Sequence, residues 1–239
     1  MNFMLFAAGL GTRLRPLTLE TPKPLLTIQG KTLLGRLLDA ILPCADRVFI
    51  NTSWLSEQIY QFIKDNYPQQ NIHLLYEGEA PLETAGALYN AVNYAKRYCP
   101  HSQLEVKPFV AVNADIYTDY DFSSLKSEVL SKQDLAHLIL VDCPTSKQKG
   151  DFDLNGNRVS GSMESRGEYT FSGISLIHPQ LLSDYKNSQQ SLVVKNEIPI
   201  VSLTNLLYYA SEVGRLSGEH YAGKWYDVGT LEIFKELSS

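Results

Sequence analysis

Through the first half of the chain, apolar residues gather in short unbroken runs, and the stretches between them repeat with the period of a helix. Asn2–Ala8 is an apolar run that ends in a loop rich in Gly, Arg and Pro. Thr32–Leu42 sets Leu33, Leu34, Leu37, Leu38, Ile41 and Leu42 at helical spacing and stops at Pro43. Val48–Asn51 predicts a second strand. Ser53–Tyr67 predicts a helix with Leu55, Ile59, Phe62 and Ile63 inward and Pro68 as its stop. Ile72–Tyr76 reads as a third strand, and Thr84–Tyr98 as a third helix with Ala85, Leu88, Ala91, Val92 and Ala95 on one face. Phe109–Asn113 follows as a fourth buried strand. Apolar strands separated by helices predict an α/β fold, its central sheet mostly parallel with helices on both faces.

The second half is less regular and predicts a mixed sheet. Asp121 reads as the N-cap of a helix over Phe122–Leu130, and Leu135–Val141 as another apolar strand. Asp153–Val159 has the pattern of a hairpin turning at Asn155-Gly156. Tyr169–Ile177 alternates as a long strand, and Leu203–Val213 is an amphipathic helix. Leu216–Val228 holds two strands, and Thr230 caps a last helix through Leu237. No repeat, low-complexity tract or linker divides the chain, so residues 1–239 are expected to form one domain.

Composition narrows the class. At 239 residues the chain is long enough to bury roughly 70% of its unfolded surface without a metal or disulfide staple. No apolar run approaches the ~18–20 residues of a membrane helix. Met1–Ala8 lacks a basic leader and is cut short by Gly9, so it is not expected to be a signal peptide. Cys44, Cys99 and Cys143 are odd in number and show no C-x-x-C spacing, which suits reduced thiols in a cytoplasm. A formal charge of −5 with no basic block argues against nucleic acid as a partner. It does not argue against a small phosphorylated one, because local charges and backbone dipoles decide that.

The densest chemistry lies in Ala7-Ala8-Gly9-Leu10-Gly11-Thr12-Arg13-Leu14-Arg15-Pro16-Leu17-Thr18, followed by Thr21-Pro22-Lys23-Pro24-Leu25. A glycine turn directly after a buried strand lets backbone approach a ligand and aims N–H groups at phosphate. Arg13, Arg15 and Lys23 add charged donors suited to a triphosphate. The pattern is neither Walker A nor G-x-G-x-x-G. Asp115 stands just past an apolar strand, where open α/β sheets bind ligands; taken alone it reads as an Asx turn or a helix cap before it reads as a carboxylate suited to Mg²⁺. Asp119 and Asp121 read as a loop residue and a cap. Glu79 can accept from uracil N3–H or from guanine N1–H and N2–H₂, and it reads equally well as an exposed loop carboxylate. His220 reads as structural.

The glycine stretch resembles the G-x-G-T-R-x-R-P-L-T…P-K-P-L motif of sugar-1-phosphate nucleotidylyltransferases, and the resemblance runs along nearly the whole chain. It implies a Rossmann-like nucleotidylyltransferase fold, with a nucleotide-binding half of about 1–120 and a sugar-phosphate half of about 121–239. It also implies Mg²⁺-dependent transfer of a nucleoside monophosphate from an NTP to a sugar 1-phosphate, releasing pyrophosphate. Pro81-Leu82-Glu83-Thr84, Val112–Phe122 and Ser217–Tyr221 are similar to the N-acetylmuramate α-1-phosphate uridylyltransferases of peptidoglycan recycling. That likeness implies UTP, a muramic acid phosphate and a cytoplasmic enzyme without acetyltransferase repeats.

Carried over residue by residue, the resemblance gives Arg13, Lys23 and Asp115 as catalytic, and Asp115 with Asp227 as metal ligands. It gives Ala7, Ala8, Gly9, Gly11, Thr12, Arg13, Glu79, Thr84 and Gly86 for the nucleotide, and Asn113, Gly150, Asp151, Ser172 and Gly173 for the sugar phosphate. Two departures stand out. Glu83 occupies a position that is glycine in many relatives, and Met163–Glu168 lacks the E-K-P lysine, leaving Arg166 as the nearest substitute. Other readings are a mannose-1-phosphate guanylyltransferase, another sugar-1-phosphate nucleotidylyltransferase, a phosphocholine cytidylyltransferase, or a non-catalytic nucleotide-sugar sensor. A monomer or weak homodimer is expected.

Overall fold

The computed structural model describes residues 1–98, 107–126, 129–145, 147–164 and 167–238. Its elements begin with β1 (Asn2–Phe6), α1 (Leu17–Glu20), β2 (Thr27–Ile28), β3 (Lys31–Thr32), α2 (Leu33–Ile41) and β4 (Arg47–Thr52). Next come α3 (Ser56–Asn66), β5 (Ile72–Tyr76), α4 (Glu83–Tyr98), β6 (Phe109–Asn113) and β7 (Ile116–Thr118). Then follow β8 (Ala136–Asp142), β9 (Asp153–Asn155), β10 (Arg158–Ser160), β11 (Tyr169–Ile177) and α5 (Pro179–Ser188). The chain closes with β12 (Val194–Lys195), β13 (Ile198–Pro199), α6 (Leu203–Glu212), β14 (Leu216–His220), β15 (Trp225–Asp227) and α7 (Leu231–Ser238).

The alternation of strand and helix predicted for the first half is present, and its exceptions have local causes. Leu55 is not an inward helix residue: it has φ +52 and precedes α3. Ser53 Oγ donates to the Gly78 carbonyl at 2.6 Å and the Trp54 indole N–H to the Thr18 carbonyl at 3.0 Å, so tertiary bonds hold the segment out of the helix. Of the helix expected over Phe122–Leu130, the described residues Phe122–Ser124 form a 3₁₀ turn, with Asp121 Oδ1 accepting from the Ser123 amide at 3.0 Å. Residues 127 and 128 of that stretch lie outside the described residues. The β9–β10 hairpin turns at Gly156-Asn157, one residue later than expected, with Gly156 at φ +60. α5, β7 and the β12–β13 pair have no counterpart in the pattern reading. Cys44 and Cys143 are not joined in a disulfide, whereas Cys99 lies outside the described residues. No described helix is long and apolar enough to cross a membrane.

The chain divides into two compact units. One comprises residues 2–81, 112–124 and 223–239, the other 82–111 and 125–222. In the first, β1, β4 and β5 form a parallel ladder ordered β5-β4-β1, with Phe6 opposite Asn51 at its last step. Phe3, Met4 and Leu5 are fully buried, so β1 is covered on both faces. This is why it reads as an unbroken apolar run rather than an alternating one. Thr32 caps α2 by accepting the Gly35 amide at 3.0 Å, a contact worth about 1 kcal/mol. Separately, β7 and β15 pair antiparallel.

The second unit is mixed, as its irregular pattern predicted. β14 runs parallel to β8, whereas β11 pairs antiparallel with β8 and β10 antiparallel with both β14 and β9. A register shift between Phe171 and Ser175 breaks the β11 ladder around Gly173, which has φ +80. Helices α4, α5 and α6 belong to this unit. Tyr185 and Tyr209 meet edge to face at 5.7 Å between α5 and α6.

Candidate functional site

In the first unit the glycine turn leaves β1 at the C-terminal end of the parallel ladder, the end at which open α/β sheets bind ligands. Gly11 sits at φ +60, and a Cβ there would come within 2.8 Å of Thr18 Cγ2 and 3.3 Å of Lys23 Cβ. Its carbonyl accepts from the Leu14 amide at 2.9 Å and from Thr18 Oγ1 at 2.8 Å. Only glycine fits this conformation and this spacing, so the turn folds back on the segment that carries Lys23. Gly9 differs: it is exposed, and nothing lies within 4 Å of where its Cβ would be. That is open space on the outer side of the turn.

Lys23 is 8% exposed, and its ammonium lies 2.5 Å from Asp115 Oδ2. Asp115 lies in the short turn between β6 and β7, and this turn is tied to β1 by the Ala114 amide, which donates to the Phe6 carbonyl at 3.1 Å. The β7–β15 ladder sets Asp227 opposite Ile116, and the Val228 amide donates to the Asp115 carbonyl at 3.0 Å. Asp115 and Asp227 are 112 positions apart in sequence, yet each is next to a residue bonded to or paired with the other's segment. Val228 is fully buried with Ile28 and Leu33, and Phe234 of α7 packs on the same cluster, which fixes Asp227 from behind. The Arg13 guanidinium lies against Gly229, 3.0 Å from the position of a Cβ there. One contiguous cluster therefore holds the glycine turn, Arg13, Lys23, Asp115 and Asp227.

The other expected site residues of this unit are arranged differently. Ala8 is buried, and Thr12 is exposed at the start of the 3₁₀ turn Thr12–Leu14. The Ala7 amide is taken up by Asn51 Oδ1 at 2.8 Å, so Ala7 anchors the turn from inside. Asn113 is half-buried at the end of β6, and Glu79 is exposed on the loop after β5. Glu77 is the buried carboxylate of that loop, at 6% exposure, and it accepts from Asn51 Nδ2 at 3.1 Å. Sequence reasoning passed over Asn51 and Glu77. Their one signal was a polar residue ending each of two apolar strands.

In the second unit, Thr84 and Gly86 take part in packing. Thr84 Oγ1 accepts the Leu203 amide at 2.7 Å, and the Ala85 and Gly86 amides both point at the Val201 carbonyl. A Cβ on Gly86 would lie 2.4 Å from the Pro199 carbonyl oxygen. Gly86→Ala is therefore expected to destabilise the protein by about 1–3 kcal/mol in denaturant unfolding, because backbone rather than a flexible side chain is in the way. Glu83, where many relatives have glycine, keeps a glycine-like φ of +62. Relief of that strain, on the order of 1–3 kcal/mol, exceeds the entropy that an added glycine costs, about 0.5–1 kcal/mol. Glu83→Gly is expected to leave the unfolding midpoint unchanged or raise it.

Gly150 and Asp151 pair through their backbones with Gly167 and Tyr169. Asp151 Oδ2 accepts from the Phe171 amide at 3.1 Å and from Lys147 at 3.4 Å. Ser172 is buried, and its Oγ accepts the Ile174 amide across Gly173 at 3.2 Å. These four residues thus gather at the irregular start of β11. A cleft of about 510 Å³ opens beside Gly150 and Lys147. His220 Nε2 is 2.9 Å from Asp142 Oδ1, and its ring packs on Tyr169. Arg166 lies outside the described residues.

The donor set suits a small hard cation. No group of three or more His, Cys, Asp or Glu side chains gathers among the described residues, whereas Asp227 on β15 is paired with Ile116, the residue that follows Asp115. Mg²⁺ is commonly held by one or two carboxylates, with water and substrate phosphates completing its shell. The Lys23 ammonium already marks Asp115 Oδ2 as a place for positive charge.

A family model for nucleotidyl transferases matches residues 3–239. The chain is 32% identical to the N-acetylmuramate alpha-1-phosphate uridylyltransferase of Neisseria meningitidis, over 100% of this chain and 97% of the relative. It is 28% identical to the mannose-1-phosphate guanylyltransferase catalytic subunit beta of Drosophila melanogaster, over 97% of this chain but 60% of the relative. A Bacillus anthracis structure assigned as a glucose-1-phosphate thymidylyltransferase superposes with a TM-score of 0.78 at 16% identity, over 100% of this chain and 94% of the other. The CTP:phosphocholine cytidylyltransferase of Streptococcus pneumoniae gives 0.71 at 20% identity, over 99% and 97%. At such identities the likeness establishes the fold alone, and it is the Rossmann-like α/β fold that the sequence predicted.

Proposed function

The chain belongs to the nucleotidyl transferase family as a sugar-1-phosphate nucleotidyltransferase, and we propose that it transfers UMP from UTP to N-acetylmuramic acid α-1-phosphate. The products are the UDP-sugar and pyrophosphate, and the setting is cytoplasmic recycling of cell-wall sugar. The observation that carries the chemistry is the Lys23–Asp115 pair at 2.5 Å, with Asp227 beside it across the β7–β15 ladder. The choice of substrates is supported by full-length similarity to the meningococcal uridylyltransferase.

An oxygen of the sugar phosphate forms a bond to the α-phosphorus. The bond from that phosphorus to the bridging oxygen breaks, and pyrophosphate leaves with the electron pair. The attacking oxygen is already anionic at neutral pH, so no general base is required. What the protein must supply is alignment of two anions and compensation of the charge that builds at phosphorus. Gly9, Gly11, Thr12 and Arg13 hold the triphosphate on the outer side of the turn. Lys23 swings its ammonium from Asp115 to the reacting phosphates. Asp115 and Asp227 are the residues that would hold Mg²⁺, which supplies charge neutralisation on phosphate oxygens. Within the same unit, Glu79 takes the base and Asn113 the sugar phosphate.

Offering the four NTPs in turn with N-acetylmuramic acid α-1-phosphate, mannose 1-phosphate and phosphocholine, and reading pyrophosphate, separates this reading from its rivals. Release with UTP and the muramic acid phosphate is expected. Preference for GTP with mannose 1-phosphate would replace the substrate assignment, and nucleotide binding without any turnover would make the protein a sensor.

A further inference from the structure

The C-terminal ends of β4 and β5 carry two buried polar side chains for which the transfer reaction has no direct use. Asn51 is 4% exposed and Glu77 is 6% exposed. Asn51 Oδ1 accepts the Ala7 amide at 2.8 Å, while its Nδ2 donates to Glu77 Oε1 at 3.1 Å. The carbonyl of that same Phe6–Ala7 peptide accepts from the Ala114 amide at 3.1 Å. A single peptide plane is thus gripped on both edges, on one side by the neighbour of Asp115 and on the other by Asn51.

The position of this grip in the ladder gives it meaning. Phe6 and Asn51 are the last pair of the β1–β4 ladder. Beyond them the Ala7 N–H would seek the next backbone carbonyl of β4, as a ladder requires. The Asn51 side chain supplies an oxygen instead, so the ladder ends there and the glycine turn begins. An amide can present either oxygen or nitrogen to a neighbour, and the Glu77 carboxylate, which only accepts, settles the choice. Glu77 is itself fixed, since its amide donates to the Thr52 carbonyl at 2.9 Å.

We propose that Asn51, oriented by Glu77, is a positioning residue that fixes the register of the Gly9–Arg13 turn against Asp115. The ladder ends one step early, and the turn leaves β1 in a single direction. A small error in that direction misaligns a triphosphate held on the turn with the carboxylate that faces it, which lowers the rate of reaction more than the affinity. The inference rests on the nucleotidyl-transfer reading in its kinetic consequence, and on geometry alone in its structural one.

The test uses the full chain with Asn51→Ala, Asn51→Asp, Glu77→Leu and Glu77→Gln, in two measurements. Amide hydrogen exchange of the free protein is followed across residues 4–14, and steady-state kinetics with UTP and the sugar phosphate give kcat and KM. Asn51→Ala and Glu77→Leu are expected to speed exchange in the turn by about tenfold or more, since the local opening becomes easier. The same variants are expected to lower kcat about 10–100-fold with KM for UTP within about threefold, the scale seen when a supporting residue is lost. Glu77→Gln keeps an acceptor for Asn51 Nδ2 and restores most of both losses.

Asn51→Asp keeps shape and the bond to Ala7 but sets two carboxylates face to face, and it loosens the turn as well. It is the variant to rely on where alanine or leucine fails to fold. Folded Asn51→Asp and Glu77→Leu proteins with unaltered exchange in the turn and unaltered kcat would overturn the inference, leaving the pair as a staple between strands. An unaltered chain that releases no pyrophosphate would remove the functional reading instead, with the exchange data still deciding the positioning role.

Discussion

Asp227→Asn is expected to lower metal-dependent pyrophosphate release by about 10²–10³ while leaving the protein folded. Asn has the shape of Asp but not its charge, so the substitution removes half of the anionic pair that faces the phosphates. The local frame does not depend on that charge. The Gly229 amide donates to the Asp227 backbone carbonyl at 2.8 Å, the β15 register to Ile116 is a backbone ladder, and Val228 is buried. Asp115→Asn should cost a similar factor in rate and more in stability, because it also strips Lys23, at 8% exposure, of its carboxylate. Pyrophosphate release and thermal unfolding of the two variants check both statements. Near-normal turnover in either one would remove that residue from the metal pair.

Lys23→Met is expected to act in opposite directions on turnover and on cation binding. Methionine approximates the length of the lysine stem and keeps the packing beside Gly11, so the main change is loss of the ammonium. Turnover should fall by about 10²–10³, because a positioned cation is missing where charge develops. In the free protein, however, the ammonium lies 2.5 Å from Asp115 Oδ2 and repels any second cation there. Its removal should tighten binding of Mn²⁺ to the nucleotide-free protein, as read by calorimetry or electron paramagnetic resonance. Unchanged turnover would contradict the role of Lys23, and weaker Mn²⁺ binding would contradict its competition for Asp115.

What could be read from the sequence, and what could not, follows from how local each determinant is. β1 was legible because a strand covered on both faces is apolar at consecutive positions. The turn after it was legible because glycine at Gly11 is demanded by backbone conformation and by Thr18. Helix α4 was legible because Ala85, Leu88, Ala91, Val92 and Ala95 recur on one face, and all five are buried. Leu55 misled because its apolar side chain fits a helical period, while bonds from Ser53 and Trp54 to distant carbonyls set its backbone. α5 had signals that went unread: Pro179 at its first turn, His178 Nδ1 accepting the Gln180 amide at 3.1 Å, and buried Leu181, Leu182 and Tyr185. β7 is only three residues long, too short for any period to register. Within the site, Asp115 stood out as a carboxylate after an apolar run and Asp227 through the family resemblance, but their adjacency depends on a β7–β15 ladder that no local pattern announces. Asn51 and Glu77 escaped notice because a polar residue closing a strand looks like the start of a loop, and only burial distinguishes the two.

The central claim is the pairing of nucleotide and acceptor, and kcat/KM measured for the purified chain with Mg²⁺ tests it most directly. UTP with N-acetylmuramic acid α-1-phosphate is predicted to exceed GTP with mannose 1-phosphate by at least about tenfold, a difference of about 1.4 kcal/mol in transition-state stabilisation. A chain that favours the guanylyl reaction, or turns over neither pair, would contradict it.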